Sequence, residues 1–334
     1  MNIWFNHWFS TAYHFIRMLK EEGYHVIATN ERETCVYRMI ADEFYIEPVF
    51  AKEEEYVSYC LQFCKDHDIR LFFVKRGMAW IVRNRDRFEQ AGITVICEKE
   101  KELFNIFQNK VNAGAFIREN GILKVPEMRI VNTAEEFAKV YGEMKERYDT
   151  LCIKYNVDEG GLSYKAIRER IPNIYRIREN MGLVYSYEYV YQCLNSVERF
   201  SDLIVMPYLD GTEVSIDCLG LGDGLLALPR YKLNNRVTKF DLSSELTEIA
   251  ENFYRAAKLE GPFNIQLRYD KGELYFLEVN TRMAGGAWKA ELLGCRFPVL
   301  CAKKFLGTLD SLPVPAAKEL KISDIEGCVA LKDQ

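Results

Sequence analysis

Short apolar runs and amphipathic stretches alternate along residues 1 to about 97, and that alternation confines this part of the chain to a parallel α/β unit. Asn2 to Phe5, His25 to Ala28, Phe44 to Pro48, Ile69 to Val74 and Ile93 to Cys97 read as strands of a four- or five-stranded sheet. Ser10 or Thr11 is placed to cap a helix that runs to about Glu22 and stops at Gly23, and Glu53 to Asp66 reads as a second helix. Such a unit commonly binds a dinucleotide through G-x-G-x-x-G in its first strand-to-helix turn. Here that turn carries bulky Trp8 and Phe9, so a dinucleotide site is not expected.

A second strong signal lies near the carboxyl end. Gly261-Pro262-Phe263-Asn264-Ile265-Gln266 and Gly272-Glu273-Leu274-Tyr275-Phe276-Leu277-Glu278-Val279-Asn280-Thr281-Arg282 read as two strands joined by a tight turn at Asp270-Lys271-Gly272. Glu278, Asn280 and Arg282 are two residues apart, so on an extended segment a carboxylate, an amide oxygen and a guanidinium share one side. Gln266, Glu278 and Asn280 offer the oxygen donors that suit Mg²⁺, and Arg282 suits phosphate. Taken alone, these polar residues are equally consistent with a solvated strand end.

Between these landmarks, Lys101 to Phe107 and Val111 to Asn120 read as helices flanking Asn109-Lys110, and Gly121 stops the second. Leu151-Cys152-Ile153-Lys154 is a short apolar strand ending in a lysine, followed by the loop Asp158-Glu159-Gly160-Gly161-Leu162-Ser163. A lysine at a strand end pairs with phosphate oxygens, and adjacent glycines let backbone N–H groups approach the same phosphates. Tyr185, Tyr187, Tyr189 and Tyr191 alternate with other residues, as a strand face or as part of a helix. Their service is left open between local packing, substrate contact and a second subunit in a homodimer. Leu203 to Met206 reads as a strand, Leu225 to Leu228 as apolar, and Ser244 to Leu259 as an amphipathic helix. Gly285-Gly286 followed by Ala287 to Gly294 suggests a loop and helix, Phe297 to Phe305 another helix, and residues 307–334 a terminal strand and cover.

Composition excludes several classes. A chain of 334 residues with 49% hydrophobic content holds two or three structural units with a sizeable core. A net charge of −5 with both signs mixed gives no basic stripe for nucleic acid. No run approaches 18 apolar residues, and Met1 to His7 lack the basic start and apolar run of a signal peptide, so neither a membrane span nor secretion is expected. Ten cysteines without C-x-x-C pairs suggest reduced thiols in a cytoplasm, with Cys60 and Cys64 as core or partner-facing thiols. Four histidines, three before residue 30, provide no nucleophilic triad.

The hairpin resembles the metal-binding hairpin of the ATP-grasp superfamily, in which an acidic or amide residue on one strand precedes E-x-N-x-R on the next. Its G-P-x-N-I-Q form is similar to the carbamoyl-phosphate-synthetase large-chain branch. Gln108-Asn109-Lys110 and Gly121-Ile122-Leu123-Lys124-Val125-Pro126 resemble that family's D-K and G-I-x-V-P entry, with Asn109 in place of the acidic residue. Pro207-Tyr208-Leu209-Asp210-Gly211-Thr212-Glu213 resembles its hinge and G-x-E. The resemblance, spanning residues 1 to about 307, implies an α/β fold: a Rossmann-like pre-ATP-grasp domain (1–97), a helical connector (98–125), and a two-lobed α+β ATP-grasp domain with a small lobe (126–208) and a large lobe carrying the metal site (209–334).

The same resemblance implies a set of roles. Gln266, Glu278 and Asn280 would bind one or two Mg²⁺, with Mn²⁺ as a substitute, and Arg282 the transferred phosphate. Lys110, Lys154, Gly160 and Gly161 would hold the ATP phosphates. Met206, Pro207, Tyr208 and Leu209 would line the adenine slot, Glu213 would take the ribose hydroxyls, and Arg230 and Lys232 would neutralise charge at the reacting centre. The implied activity is that of an ATP-dependent ligase which activates a small carboxylate as an acyl phosphate and joins it to an amine. A non-catalytic ATP-binding regulatory or scaffold protein is the alternative. A duplicated ATP-grasp pair, a glutaminase and a bicarbonate-site signature are not recognisable, so carbamoyl phosphate is not expected as product.

Overall fold

Alternate residues of β1 (Asn2–Asn6) enter two different cores, as the two-residue period of a strand requires when both faces are covered. Ile3 and Phe5 pack on α1 (Ala12–Glu21), while Trp4 packs toward the other face. β2 (His25–Asn30) splits in the same way, and β3 (Glu43–Ile46), α2 (Glu53–Asp66) and β4 (Ile69–Phe73) follow. Two short helices, α3 (Met78–Arg83) and α4 (Arg85–Gln90), lead into β5 (Thr94–Ile96). The five strands are parallel in the order β3-β2-β1-β4-β5. Across the β1/β4 register, Trp4 stacks on Phe72 at 4.0 Å and Phe5 on Phe73 at 4.5 Å. Each of these fully buried rings contributes about 1.5–3 kcal/mol by its removal from water.

The computed structural model describes residues 1–158, 163–168, 184–242, 245–325, 327–328 and 330. These form two compact units: Met1–Asn105 with Glu213–Gln266 and Val279–Gln334, and Ile106–Thr212 with Leu267–Glu278. The predicted strands and helices of the first 97 residues are present, with one correction at a cap. Thr11 stands at the N-cap position of α1 in a helical conformation (φ −63°, ψ −15°) and its hydroxyl makes no capping bond. An αR residue does not aim its side chain at the N–H groups two and three residues on as an extended N-cap does.

In α5 (Lys101–Gln108) and α6 (Lys110–Glu119) the connecting residue Asn109 is extended and caps α6, accepting a bond from the Asn112 amide at 2.9 Å. The second unit continues with β6 (Arg129–Val131), α7 (Ala134–Lys145), β7 (Leu151–Tyr155), β8 (Lys165–Ile167), β9 (Val184–Tyr185), α8 (Tyr187–Leu194) and β10 (Leu203–Pro207). Its sheet runs β6-β10-β7-β8-β9. The tyrosine run resolves into the end of β9 and the helix α8, capped by the Ser186 hydroxyl. Tyr187 lies against Phe137 and Tyr141 of α7 and stacks on Tyr191. Tyr185 packs against the same core and stacks on Tyr189 at 5.2 Å, so all four tyrosines make local packing contacts.

β11 (Glu213–Leu221), β12 (Gly224–Lys232), β13 (Val237–Asp241), α9 (Glu245–Ala257), β14 (Phe263–Asp270), β15 (Glu273–Asn280), α10 (Phe297–Phe305) and β16 (Glu319–Ser323) complete the chain. The six strands run β15-β14-β11-β12-β13-β16. Lys271 and Gly272 both have positive φ, +50° and +84°, the pair of left-handed residues that a two-residue hairpin turn requires. Residues 287–293 form a 3₁₀ helix rather than an α-helix. β16 supplies the predicted terminal strand, antiparallel to β13. Ser244, the expected start of α9, lies outside the described residues.

Candidate active site

Within the second unit, β7 and β10 each send alternate residues to opposite faces. Leu151, Ile153, Leu203 and Val205 join the core under α7 and α8, whereas Cys152, Ile204 and Met206 form a separate apolar cluster with Tyr208 and Leu277 against it. Lys154 shares this second face by the strand period and is 7% exposed. Lys110, at the first turn of α6, is 5% exposed. Both ammonium groups approach one carboxylate: Glu278 Oε2 lies 3.7 Å from Lys110 Nζ and 3.9 Å from Lys154 Nζ. Lys110 also donates to the Asp158 carbonyl at 3.0 Å. Burial, offset by Glu278 and reinforced by the like charge of Lys110, lowers the pKa of Lys154.

Asn156 stands beside Lys110. It is fully buried, its carbonyl accepts the Lys110 amide and its side-chain oxygen accepts the Val111 amide, yet its Nδ2 has no partner. Two buried cations gathered on the Glu278 carboxylate, with Asp158 also acting on Lys154, stand beside an orphaned buried donor. That set suits an anion rich in oxygen acceptors. Met206, Pro207 and Leu209 are buried and Tyr208 half-buried, with the Arg268 guanidinium 5.9 Å from its ring. Gly160 and Gly161 lie outside the described residues.

In the first unit, one face of the long sheet is polar. Glu213 and Lys232 are directly opposed in the β11/β12 register and form an ion pair; Ser215 and Arg230 are the next opposed pair on the same side. Roles were expected for Glu213 at the ribose and for Lys232 at the reacting phosphate, but the register makes them neighbours. Arg230 is 4% exposed and its Nε donates to Asp217 Oδ2 at 2.7 Å. Asn264 Nδ2 donates to the other oxygen of Asp217 at 2.8 Å and to the Ser215 hydroxyl at 2.9 Å. Arg230 is thus held in a buried network, its charge already matched by Asp217. A Cβ on Gly286 would sit 2.7 Å from Arg230 Nη1, which explains a glycine there. Arg282, 7% exposed, donates to Asn280 Oδ1 at 3.1 Å and to the Met283 carbonyl at 3.2 Å. Gln266 follows Asn264 on the same side of β14 and is half-buried.

Asn156, Ser215, Asp217 and Asn264 were not singled out from sequence. A signal for three of them exists, since Glu213, Ser215 and Asp217, like Asn264 and Gln266, place polar residues at every second position of otherwise apolar strands. Asn156 carries no comparable pattern. Among the described residues no three His, Cys, Asp or Glu side chains group as a metal site, and the Mg²⁺ set expected from sequence includes two amides. The cysteines are unpaired, and burial pushes the Cys60 and Cys64 thiols well up. No helix among the described residues is long and apolar enough to cross a membrane.

Residues 199–328 match the family described as ATP-grasp in the biosynthetic pathway with Ter operon. The carbamoyl phosphate synthase large chain of Pseudothermotoga lettingae is 22% identical over 309 residues, 88% of this chain; the chain spans only 26% of that relative's length. A biotin carboxylase complex with β,γ-ATP from Campylobacter jejuni superposes with a TM-score of 0.65 at 16% identity, over 94% of this chain and 72% of that one. An L-amino acid ligase from Bacillus licheniformis gives 0.66 at 13% identity, over 94% and 77%. These likenesses place an ATP-grasp domain over residues 199–328 of a chain that is a distant homologue of the carbamoyl phosphate synthase large chain and shares the fold of the biotin carboxylase and L-amino acid ligase structures.

Proposed function

We propose that the protein is an ATP-dependent ligase that activates a small carboxylate as an acyl phosphate and joins it to an amine. The observation that carries this reading is the buried group of Lys110, Lys154 and Glu278 beside the orphaned Nδ2 of Asn156. Two buried ammonium groups and an unpartnered amide donor suit polyphosphate, and the carboxylate among them suits the cation that accompanies it. The names of the structural neighbours agree, since one is a biotin carboxylase complex with β,γ-ATP and one an L-amino acid ligase.

In the proposed reaction a carboxylate oxygen attacks the terminal phosphorus of ATP and ADP leaves. An amine then attacks the acyl carbon, phosphate leaves, and the amine nitrogen loses a proton. The protein's part is to hold donor and acceptor in line and to balance charge on the moving phosphoryl group. Lys110 and Lys154 hold phosphate oxygens, with Asn156 Nδ2 as a further donor, and Gly160 and Gly161 are assigned to the same phosphates. Arg282, oriented by Asn280, holds the transferred phosphoryl group. Glu278, Asn280 and Gln266 would hold Mg²⁺, which when bound would neutralise phosphate charge. Met206, Pro207, Tyr208 and Leu209 form the adenine slot, and Glu213, steadied by Lys232, binds the ribose. Arg230, paired with Asp217, contributes position and field rather than a mobile charge. The domain division that accompanies this reading is 1–97, 98–125, 126–208 and 209–334.

The test is ADP release with a panel of carboxylates and amines at saturating MgATP. Turnover that requires one acid and one amine supports the ligase. Tight MgATP binding with no turnover for any pair overturns it in favour of a non-catalytic ATP-binding protein.

A further inference from the structure

We propose that the groove between α2 and α4, at the amino ends of the parallel strands, is a binding site for a small amphipathic monocarboxylate. Arg70 and Lys65 take the carboxylate, and the apolar body lies on Leu61, Ile69 and Ile93. The groove encloses about 730 Å³, and all of its lining residues fall between Ser58 and Ile93, within the first unit. It contains none of the residues assigned to nucleotide or metal, so its occupation does not depend on the ligase reading. Small-molecule sites of this size pair an apolar floor with a few placed polar groups.

Ser58, Leu61, Gln62 and Lys65 recur three or four residues apart and so share one side of α2. Arg87 and Gln90 of α4 and the following Ala91 stand opposite. Between the two helices the buried Cys64, Ile69 and Ile93 form the floor with the half-buried Leu61. One part of the wall is already neutral, because Arg87 Nη1 and Nη2 donate to the two oxygens of Glu54 at 2.7 and 2.9 Å. Lys65 and Arg70 differ: both are exposed, and neither charged group has a hydrogen-bond or ion-pair partner among the described residues. Arg70 also stands outside the regular ladder. The β1/β4 register steps from Asn2 opposite Ile69 to Ile3 opposite Leu71, and β5 pairs with β4 only from Leu71 onward. An extra residue of this kind re-aims its side chain, and here the guanidinium lies over the turn before β5, where a Cβ on Gly92 would stand 3.4 Å from Nη1.

The charge balance selects the ligand. Asp68 is the one carboxylate among the lining residues, at φ +48°, a left-handed position that aspartate and asparagine adopt more readily than most residues. The neighbouring Asp66 accepts a bond from Gln62 Nε2 at 2.6 Å. α2 and α4 both end at the groove and bring the partial negative charge of their last carbonyls, which Lys65 in the last turn of α2 offsets in part. Two full positive charges thus face one full negative charge and those partial ones. So small a surplus does not suit a doubly charged phosphate. It suits a single carboxylate, for which the planar guanidinium supplies two parallel donors, and the apolar floor then requires a body larger than acetate.

The experiment is a ligand-observed NMR titration of wild type, Arg70→Ala, Lys65→Met and Asp68→Asn with phenylacetate, cinnamate and octanoate. Acetate, which lacks the body, cinnamyl alcohol, which lacks the charge, and inorganic phosphate serve as competitors. Each substitution is at an exposed residue, and circular dichroism checks that the variants are folded. The expected result is saturable binding of at least one of the acids to wild type, weakened about fivefold or more in Arg70→Ala and in Lys65→Met and tightened about twofold in Asp68→Asn. None of the competitors should displace it at equal concentration. Binding of no acid to wild type overturns the proposal. Unchanged affinity in both Arg70→Ala and Asp68→Asn also overturns it, by placing the acid elsewhere. Displacement by cinnamyl alcohol would reduce the groove to an apolar trap, and displacement by phosphate that is lost in Arg70→Ala would make it a phosphate site instead.

Discussion

Lys110 Nζ lies 3.7 Å from Glu278 Oε2, with both side chains largely buried, and Lys154 reaches the same oxygen at 3.9 Å. One carboxylate therefore tempers two desolvated ammonium groups. This makes Glu278 a stabilising residue in the free protein as well as the proposed Mg²⁺ ligand. Glu278→Gln should lower kcat/KM by about 10²–10³-fold through lost charge stabilisation. Without nucleotide it should also lose about 3 kcal/mol of stability, the lower end for removing one partner of a buried pair. Urea denaturation and ADP release measure the two effects, and circular dichroism checks that the fold remains. Wild-type rates in this variant would remove the metal assignment.

A second buried pair, Arg230 with Asp217, is predicted to be structural first. Asp217→Asn leaves a guanidinium without its charge partner and should cost about 3–5 kcal/mol. Arg230→Lys should not preserve stability, because a point charge cannot reproduce the planar contact of Nε and Nη2 with two carboxylate oxygens. Equal denaturation midpoints for wild type and Asp217→Asn would show that the pair is not needed.

Two glycines should respond in opposite directions. A Cβ at Gly261 would lie 2.8 Å from the backbone carbon of Cys97 and the amide of Glu98, where neither can yield cheaply. Gly261→Ala should destabilise by about 1–3 kcal/mol through overpacking. Gly142, inside α7 with nothing within 4 Å, should gain about 0.5–1 kcal/mol as alanine from helix propensity. Thermal midpoints of the two variants test both signs.

Glu47 gives a pH prediction. Its carboxyl is held above the ordinary value near 4.5, chiefly by burial, although Thr29, Tyr56 and Arg76 pull it down. Between that ordinary value and the raised folded one, the native state binds more protons than the unfolded state, so this group's contribution to stability falls as pH rises. Glu47→Gln does not titrate. The difference in urea midpoint, wild type minus variant, should therefore be largest near about pH 4 and shrink toward about pH 7. A difference that grows with pH would reverse the assignment.

Much of this was legible in the chain. Strand period identifies the parallel unit, because β1, β2 and β4 bury both faces in continuous apolar runs bounded by turn residues. Lys271-Gly272 identified the hairpin because few residue pairs tolerate two positive φ angles. The lysines were legible through the family's spacing, and their burial was not, since a lysine's depth depends on strands that meet only in the fold. The opposition of Glu213 and Lys232 was hidden for the same reason: it is set by the β11/β12 register across 19 residues of chain. Asn109 shows the limit of motif comparison. It departs from the family's acidic residue and still performs a local task, capping α6.

The central claim is that Lys110, Lys154 and Glu278 receive the phosphates and metal of MgATP. Calorimetric titration of MgADP into wild type and Lys154→Met tests it most directly, because replacing a buried, unfavourably desolvated ammonium by an apolar chain of similar length leaves the core filled. The account predicts one-to-one binding to wild type and at least tenfold weaker binding to the variant, about 1.4 kcal/mol or more, with no loss of thermal stability. Equal affinity in both proteins, or no binding to wild type, would contradict it.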